Sequence, residues 1–407
     1  MASLSQTDQK TNNSNKVNQT AQLYTQIMKN SNKIPISSDD AEKWESTFWS
    51  NEPVVSLNEF VVDQKQICEL NLQKNPYNAP APYQFQNLDL SQDETLTKLT
   101  NFISVNYIPS CMHITTFYDK DFVKFICAKG VNLCLVSQGY IGGFIHVDIK
   151  KFQVYDKEID AGDVTFLCVH QKLRHKGIAE ILIKEAVRQI SNEGCQVGTF
   201  ITNRYVPSPF SILKIYHRPI NYIKLTETDY IKKSKGDIDS AIGFYKVYGE
   251  LSDKMVELKE SNYEFAYECY KQYVSKYCFY EILTLESFID KFCSNPKVKT
   301  YLFNDANNNP VDFLSYFTIC THKKLNIKAC HLYMYTSNLV TPVTILKNLS
   351  LLAAKEECDV VTVTDCLENQ DILVGNKFLE SSDTLKLYFY NYKCPTMNCN
   401  QVCRTIL

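Results

Sequence analysis

Apolar residues along the chain keep helical spacing in some stretches and strand spacing in others. Asp93 to Val105 carries Leu96, Leu99, Phe102 and Ile103 on one helical face. From Val131 the pattern shortens, and Leu133–Ser137, Tyr140–Asp148 and Val164–His170 read as consecutive strands, the first two joined by a Gln138-Gly139 turn. Ala179, Leu182, Ile183, Ala186 and Ile190 then recur at i, i+3, i+4, i+7 and i+11, an amphipathic helix, and Val197–Thr202 returns to strand character. Strand, helix, strand predicts a right-handed parallel crossover. The second half repeats the order more loosely, with a strand over Val311–Ile319, a helix over Leu346–Lys355 and a strand over Asp359–Thr364. The pattern predicts an α/β (α+β mixed) protein whose mixed twisted sheets are flanked by helices in two halves of similar plan. Residues 1–40 are polar and read as a flexible tail. Order is expected from about Trp44, where Trp44, Phe48 and Trp49 form a cluster that must be buried, and the proline-punctuated stretch Asn75–Pro82 breaks regular structure.

Composition narrows the class. A chain of 407 residues is long enough for two domains, and 44% hydrophobic residues supply large cores. A net charge of −2 provides no global basic field, so nucleic acid is not an expected partner. Sixteen cysteines in a long chain without an apolar leader read as reduced, buried small hydrophobes in a cytoplasmic protein. The spacings of Cys394, Cys399 and Cys403 fit no common zinc pattern, and no metal is expected. No stretch reaches the roughly 20 apolar residues of a membrane span.

The chemistry concentrates in Asp163–Glu180, where an apolar strand enters a short basic loop that opens into the amphipathic helix. Arg174-x-x-Gly177-x-Ala179 resembles the acyl-CoA-binding loop signature of Gcn5-related N-acetyltransferases. A helix N-terminus leaves backbone N–H groups without partners and carries positive potential, and glycine lets the main chain approach a pyrophosphate. Lys172, Arg174 and Lys176 add cationic neighbours.

Four blocks in order carry a wider resemblance. Phe48-Trp49-Ser-Asn-Glu-Pro53-Val54, Phe166-Leu-Cys-Val-His170 with Leu173-Arg174, Tyr216-His217-Arg218-Pro-Ile-Asn221, and Lys377-Phe378 with Tyr390-Asn391-Tyr392-Lys393-Cys394-Pro395 are similar to blocks of the glycylpeptide N-tetradecanoyltransferases, or N-myristoyltransferases. The resemblance implies two acetyltransferase-like halves related by a pseudo-twofold. Residues 41–222 would bind the acyl-CoA and 223–407 would complete the peptide site. It implies a cytoplasmic monomer that transfers a myristoyl group from myristoyl-CoA to the glycine amine of protein N-termini, with no cofactor beyond that co-substrate. Carried over residue by residue, Phe48, Trp49, Phe166, Leu167, Cys168, Val169, Arg174, His175, Lys176, Gly177, Ile178 and Ala179 would hold the acyl-CoA. Main-chain N–H groups of Phe166 and Leu167 would form an oxyanion hole, and the carboxylate of Leu407 would be the general base. Thr165, Thr202, His217 and Asp383 would face the peptide.

Departures from the family pattern bear on the acceptor. Ile108–Met112 stands where the family has an acidic run, Thr165 replaces an Asn, Ile201 aligns with a Thr, and Ser381-Ser382-Asp383 replaces GDG. They leave two other readings: another CoA-dependent N-acyltransferase, and a non-catalytic module that binds acyl-CoA or N-termini.

Overall fold

Fifteen strands join in one mixed sheet. The protein's structure, a computed structural model, describes residues 38–41, 46–57, 59–107, 116–234, 236–321 and 326–404. The expected tail therefore lies outside the described residues except for the single turn Ser38–Ala41, and Trp44 lies outside them too. The strands are β1 Gln84–Asn87, β2 Thr116–Phe117, β3 Val131–Ser137, β4 Tyr140–Val154, β5 Lys157–Val169, β6 Gly198–Thr202, β7 Ser211–Pro219, β8 Met255–Glu257, β9 Phe279–Glu281, β10 Val298–Asn304, β11 Pro310–Thr321, β12 Ile327–Tyr335, β13 Val360–Thr364, β14 Leu379–Tyr390 and β15 Val402–Cys403. The main order is β15-β9-β4-β5-β6-β14-β7-β13-β12-β11-β10-β8, with β3 on β4, β1 on β3 and β2 on β11. The helices that shape the site are α1 Asp93–Asn106, α2 Lys120–Ile126, α3 Ile178–Asn192, α4 Leu285–Phe292 and α5 Pro342–Lys355.

The repetition expected from element order is present. An antiparallel β3-β4-β5 meander leads through α3 to β6, parallel to β5; a β10-β11-β12 meander leads through α5 to β13, parallel to β12. The two units interlock. β14, near the end of the chain, pairs with β6 of the first unit, while β7, which closes the first unit, pairs with β13 of the second, and β14 and β7 pair with each other.

Strands β4 and β5 run further than their apolar segments predict. Past Asp148 the hairpin continues through Lys150, Lys151, Glu158 and Asp160, whose charges hide a strand from a hydrophobicity pattern; Lys150 pairs with Asp163 at 2.8 Å and Lys151 with Asp160 at 3.4 Å. Alternation puts Phe144 and Phe166 on one face of the sheet with Leu96, Leu99, Phe102 and Ile103 of α1. Leu133 and Ile145 sit on the other face with Ile178, Leu182, Ala186 and Ile190 of α3. Helix α1 begins with Asp93 and Glu94, which suit the positive end of its dipole. Among the described residues no helix is long and apolar enough to cross a membrane.

Candidate functional site

Strand β5 carries a bulge. Phe166 pairs with His146 and Val164 with Val147, so Thr165 is the extra residue. On the other edge, parallel pairing with β6 ends at Val164 opposite Phe200. From Thr165 to Val169 that edge has no strand partner among the described residues, and its main-chain groups face a gap between β5 and β6. Side chains alternate across the gap's wall. Phe166 is 1% exposed and packs edge-to-face on Tyr107 and Tyr118 at 5.3 and 5.2 Å on the α1 side. Cys168 is buried on that same side, where burial pushes its thiol up to about 12. Phe166 and Cys168 can therefore serve a ligand in the gap through main chain alone.

The loop after β5 is built by local bonds. The His170 ring accepts from the Lys172 N–H at 3.2 Å and opens a short 3₁₀ turn, Gln171–Leu173. Asn106, at the end of α1, accepts from the Gln171 N–H at 3.1 Å. Arg174 is turned inward: its guanidinium donates to the carbonyls of Val169, at 3.3 Å, and Asn106. It fastens the loop and is not part of the exposed rim, which consists of Lys172, His175 and Lys176. His175 and Gly177 take φ of +61° and +73°, and Gly177 caps α3. A Cβ on Gly177 would meet nothing closer than the Glu180 carboxylate at 3.8 Å, so the position faces open space and its glycine answers to backbone conformation alone.

Behind the loop lies an apolar cavity of about 240 Å³ between α3 and the β5–β6 gap. Its walls include Trp49, Val164, Leu167, Ala186 and Phe200, with Thr165, Ile201 and Thr202 among its polar and rim positions. Trp49 stacks on Phe200 at 6.0 Å and meets the buried Phe48 edge-to-face at 4.9 Å, so the aromatic cluster near the start of the described chain forms part of this wall. Lys184 of α3 sits 5.6 Å from the Phe48 ring centre.

Thr165 also lines a second cleft, about 570 Å³, between α2 and α4. Lys150, Glu281 and Lys291 line it and belong to a charge network that the hydrophobic pattern conceals. Asp163, 0% exposed, binds Lys150 at 2.8 Å and Arg404 at 2.5 Å, and Glu281 pairs with Lys291. Burial alone would raise the Asp163 carboxyl; Arg404 and Lys150 together hold it well below the usual carboxylate range. A signal was available, since Lys150 and Asp163 interrupt otherwise apolar strands.

The remaining expected site residues divide. His217 is buried in β7, away from the apolar cavity, with Thr362 Oγ1 at 3.1 Å and the Tyr230 hydroxyl at 3.5 Å; burial lowers its pKa to about 4. Asp383 lies at the irregularity of β14 and acts electrostatically on Arg204 and Lys386. Lys386, which the motifs do not single out, is 2% exposed directly across from Thr202 and donates to the Asn203 carbonyl at 2.9 Å. Leu407 lies outside the described residues, as do Ile108–Met112; the described chain ends at Arg404.

Residues 61–213 match the N-terminal domain of the myristoyl-CoA:protein N-myristoyltransferases and residues 231–404 match their C-terminal domain. A probable glycylpeptide N-tetradecanoyltransferase of Caenorhabditis elegans is 28% identical over 400 residues, covering 92% of this chain and 88% of its own. The glycylpeptide N-tetradecanoyltransferase of Plasmodium falciparum is 24% identical over 390 residues, covering 89% and 94%. In three dimensions, the crystal structure of Saccharomyces cerevisiae N-myristoyltransferase with bound myristoyl-CoA superposes with a TM-score of 0.80 at 20% identity, over 87% of this chain and 94% of that one.

Proposed function

The chain belongs to the myristoyl-CoA:protein N-myristoyltransferase family, and from that membership we infer that it is an acyltransferase that moves a tetradecanoyl group from coenzyme A to the α-amine of an N-terminal glycine. The observation that carries this reading is the succession from Thr165 to Ile178: a strand edge without a strand partner among the described residues borders an apolar cavity and runs on into a basic loop that opens a helix. An acyl-CoA suits all three. Its chain fits the cavity, its thioester the strand edge, and its phosphates the exposed N–H groups and cations of residues 172–178.

In the reaction the glycine amine attacks the thioester carbonyl, a C–N bond forms, the C–S bond breaks and coenzyme A leaves as its thiolate. The charge that develops on the carbonyl oxygen calls for fixed donors, and the main-chain N–H groups of Phe166 and Leu167 are our candidates, because such donors need no reorganisation as the charge appears. The proton passes to the base, for which we propose the carboxylate of Leu407. A free α-carboxylate has a pKa of roughly 3.3 to 3.7 and an α-ammonium roughly 7.7 to 8.0, so the transfer requires close positioning and a site that disfavours the ammonium. Thr165 and Thr202, both on the cavity rim, are the proposed polar contacts for the amine, and Asp383 and His217 would act further along the peptide. The half formed by residues 41–222 would hold the acyl-CoA and that of 223–407 the acceptor, the two sharing β14 and β7.

Deleting Leu407 separates chemistry from binding. The expected result is a loss of kcat of at least 10²-fold with acyl-CoA affinity kept; unchanged turnover would remove Leu407 from the mechanism.

A further inference from the structure

The acyl cavity has a far end, and one residue there, Gln196, also borders a neighbouring cleft. The cavity runs along parallel β5 and β6, from Leu167 and Thr202 at the reacting end to Gly162, Gly198 and Gln196 at the other. The five residue steps from Leu167 to Gly162 span about 17 Å of strand, comparable to an extended fourteen-carbon chain. Gly162 pairs with Gly198 there, and the space over Gly162 is taken by Ile190 Cδ1 and Val147 Cγ1, 2.7 and 2.8 Å from where a Cβ would sit. Beyond lies a separate cleft of about 690 Å³, lined by Ile159, Cys195, Val197 and Tyr392 together with the polar Glu69 and Asp160. Gln196 lines both spaces. Its carboxamide is held from outside: Oε1 accepts from the Leu70 N–H and from Gln66 Nε2, each at 3.0 Å. These bonds to residues 66–70 keep the side chain in place at the boundary of the two spaces, where its bulk and not its polarity is what a longer chain would meet.

We propose that Gln196 is the specificity-determining stop of the acyl cavity: it ends the tube at the length of a tetradecanoyl chain, and removing it joins the tube to the neighbouring cleft and admits longer acyl groups. The inference rests on the acyltransferase reading above. The test measures kcat/KM of the full chain for dodecanoyl-, tetradecanoyl- and hexadecanoyl-CoA with a peptide beginning in Gly, for the wild type and for Gln196→Ala, Gln196→Ser and Gln196→Leu, each checked for folding by near-ultraviolet circular dichroism. In the Ala and Ser variants the hexadecanoyl-to-tetradecanoyl ratio should rise roughly tenfold, the worth of two newly buried methylenes. The Leu variant keeps the wall and loses the carboxamide bonds, and its ratio should stay near that of the wild type. Folded Ala and Ser variants with an unchanged ratio, a Leu variant that shifts as far as Ala, or a wild type that uses hexadecanoyl-CoA as well as tetradecanoyl-CoA would each overturn the proposal. If the wild type shows no turnover, calorimetric binding of the same three acyl-CoAs to the same proteins decides. Length-selective binding that Gln196→Ala relaxes then sustains the stop while the transferase reading fails, and absence of acyl-CoA binding overturns both.

Discussion

His217 is a base that burial has emptied of its proton. Its pKa falls from 6.5 to about 4, so the unfolded chain takes up a proton that the folded chain refuses. Stability is therefore complete above pH 6.5, is lost as pH falls from there to about 4, and levels off below. Each unit of that shift corresponds to about 1.4 kcal/mol. Denaturant unfolding between pH 7 and pH 4.5 should show the decline, to which the buried His146 and His331 contribute in the same sense, and His217→Asn should make it shallower; an identical slope in the variant would contradict the assignment. Gly177 offers a second test. Alanine there meets no neighbour but must hold a left-handed φ of +73°, at a cost of about 1 kcal/mol. Gly194→Ala carries the same kind of strain past the other end of α3, at φ +89° with open space around it. Both variants should lose similar stability, but titration calorimetry should find several-fold weaker acyl-CoA binding in Gly177→Ala alone.

At the scale of elements, β5 holds together the cavity, the loop and the C-terminal segment. Its Asp163 ties Arg404, just past β15, to the strand whose next residues frame the gap. Removing the acid leaves the buried Arg404 and the half-buried Lys150 without it, whereas removing Arg404 leaves Asp163 with Lys150. Asp163→Asn should thus lower stability by about 3 to 5 kcal/mol and Arg404→Gln by less. Equal denaturation midpoints for the two would show that the network does not carry this load. The same strand shows what sequence can and cannot reveal. Helix α3 is predicted nearly to its ends, because a one-faced helix writes its burial into a 3.6-residue period. The outer half of the β4–β5 hairpin is missed, because Lys150, Lys151, Glu158 and Asp160 look like surface charges although Lys150 sits over buried Asp163. The bulge at Thr165 has no local signature; it arises from the register against β4.

For the whole molecule, the motifs led to the family and the element order led to the repeat, but not to the interlock. That β14 would insert between β6 and β7 depends on contacts nearly two hundred residues apart, which periodicity does not encode. The consequence is cooperative. Each half closes its sheet with a strand of the other, so the chain should unfold in a single transition, with near-ultraviolet and far-ultraviolet circular dichroism coincident; two separated transitions would contradict the shared sheet. Intact-mass spectrometry of a peptide beginning in Gly, incubated with the protein and myristoyl-CoA, reads the acyl transfer itself. The expected product is a peptide carrying one tetradecanoyl group on its N-terminal amine, absent when the first residue is Ala. No product, or equal product on the two peptides, would contradict it.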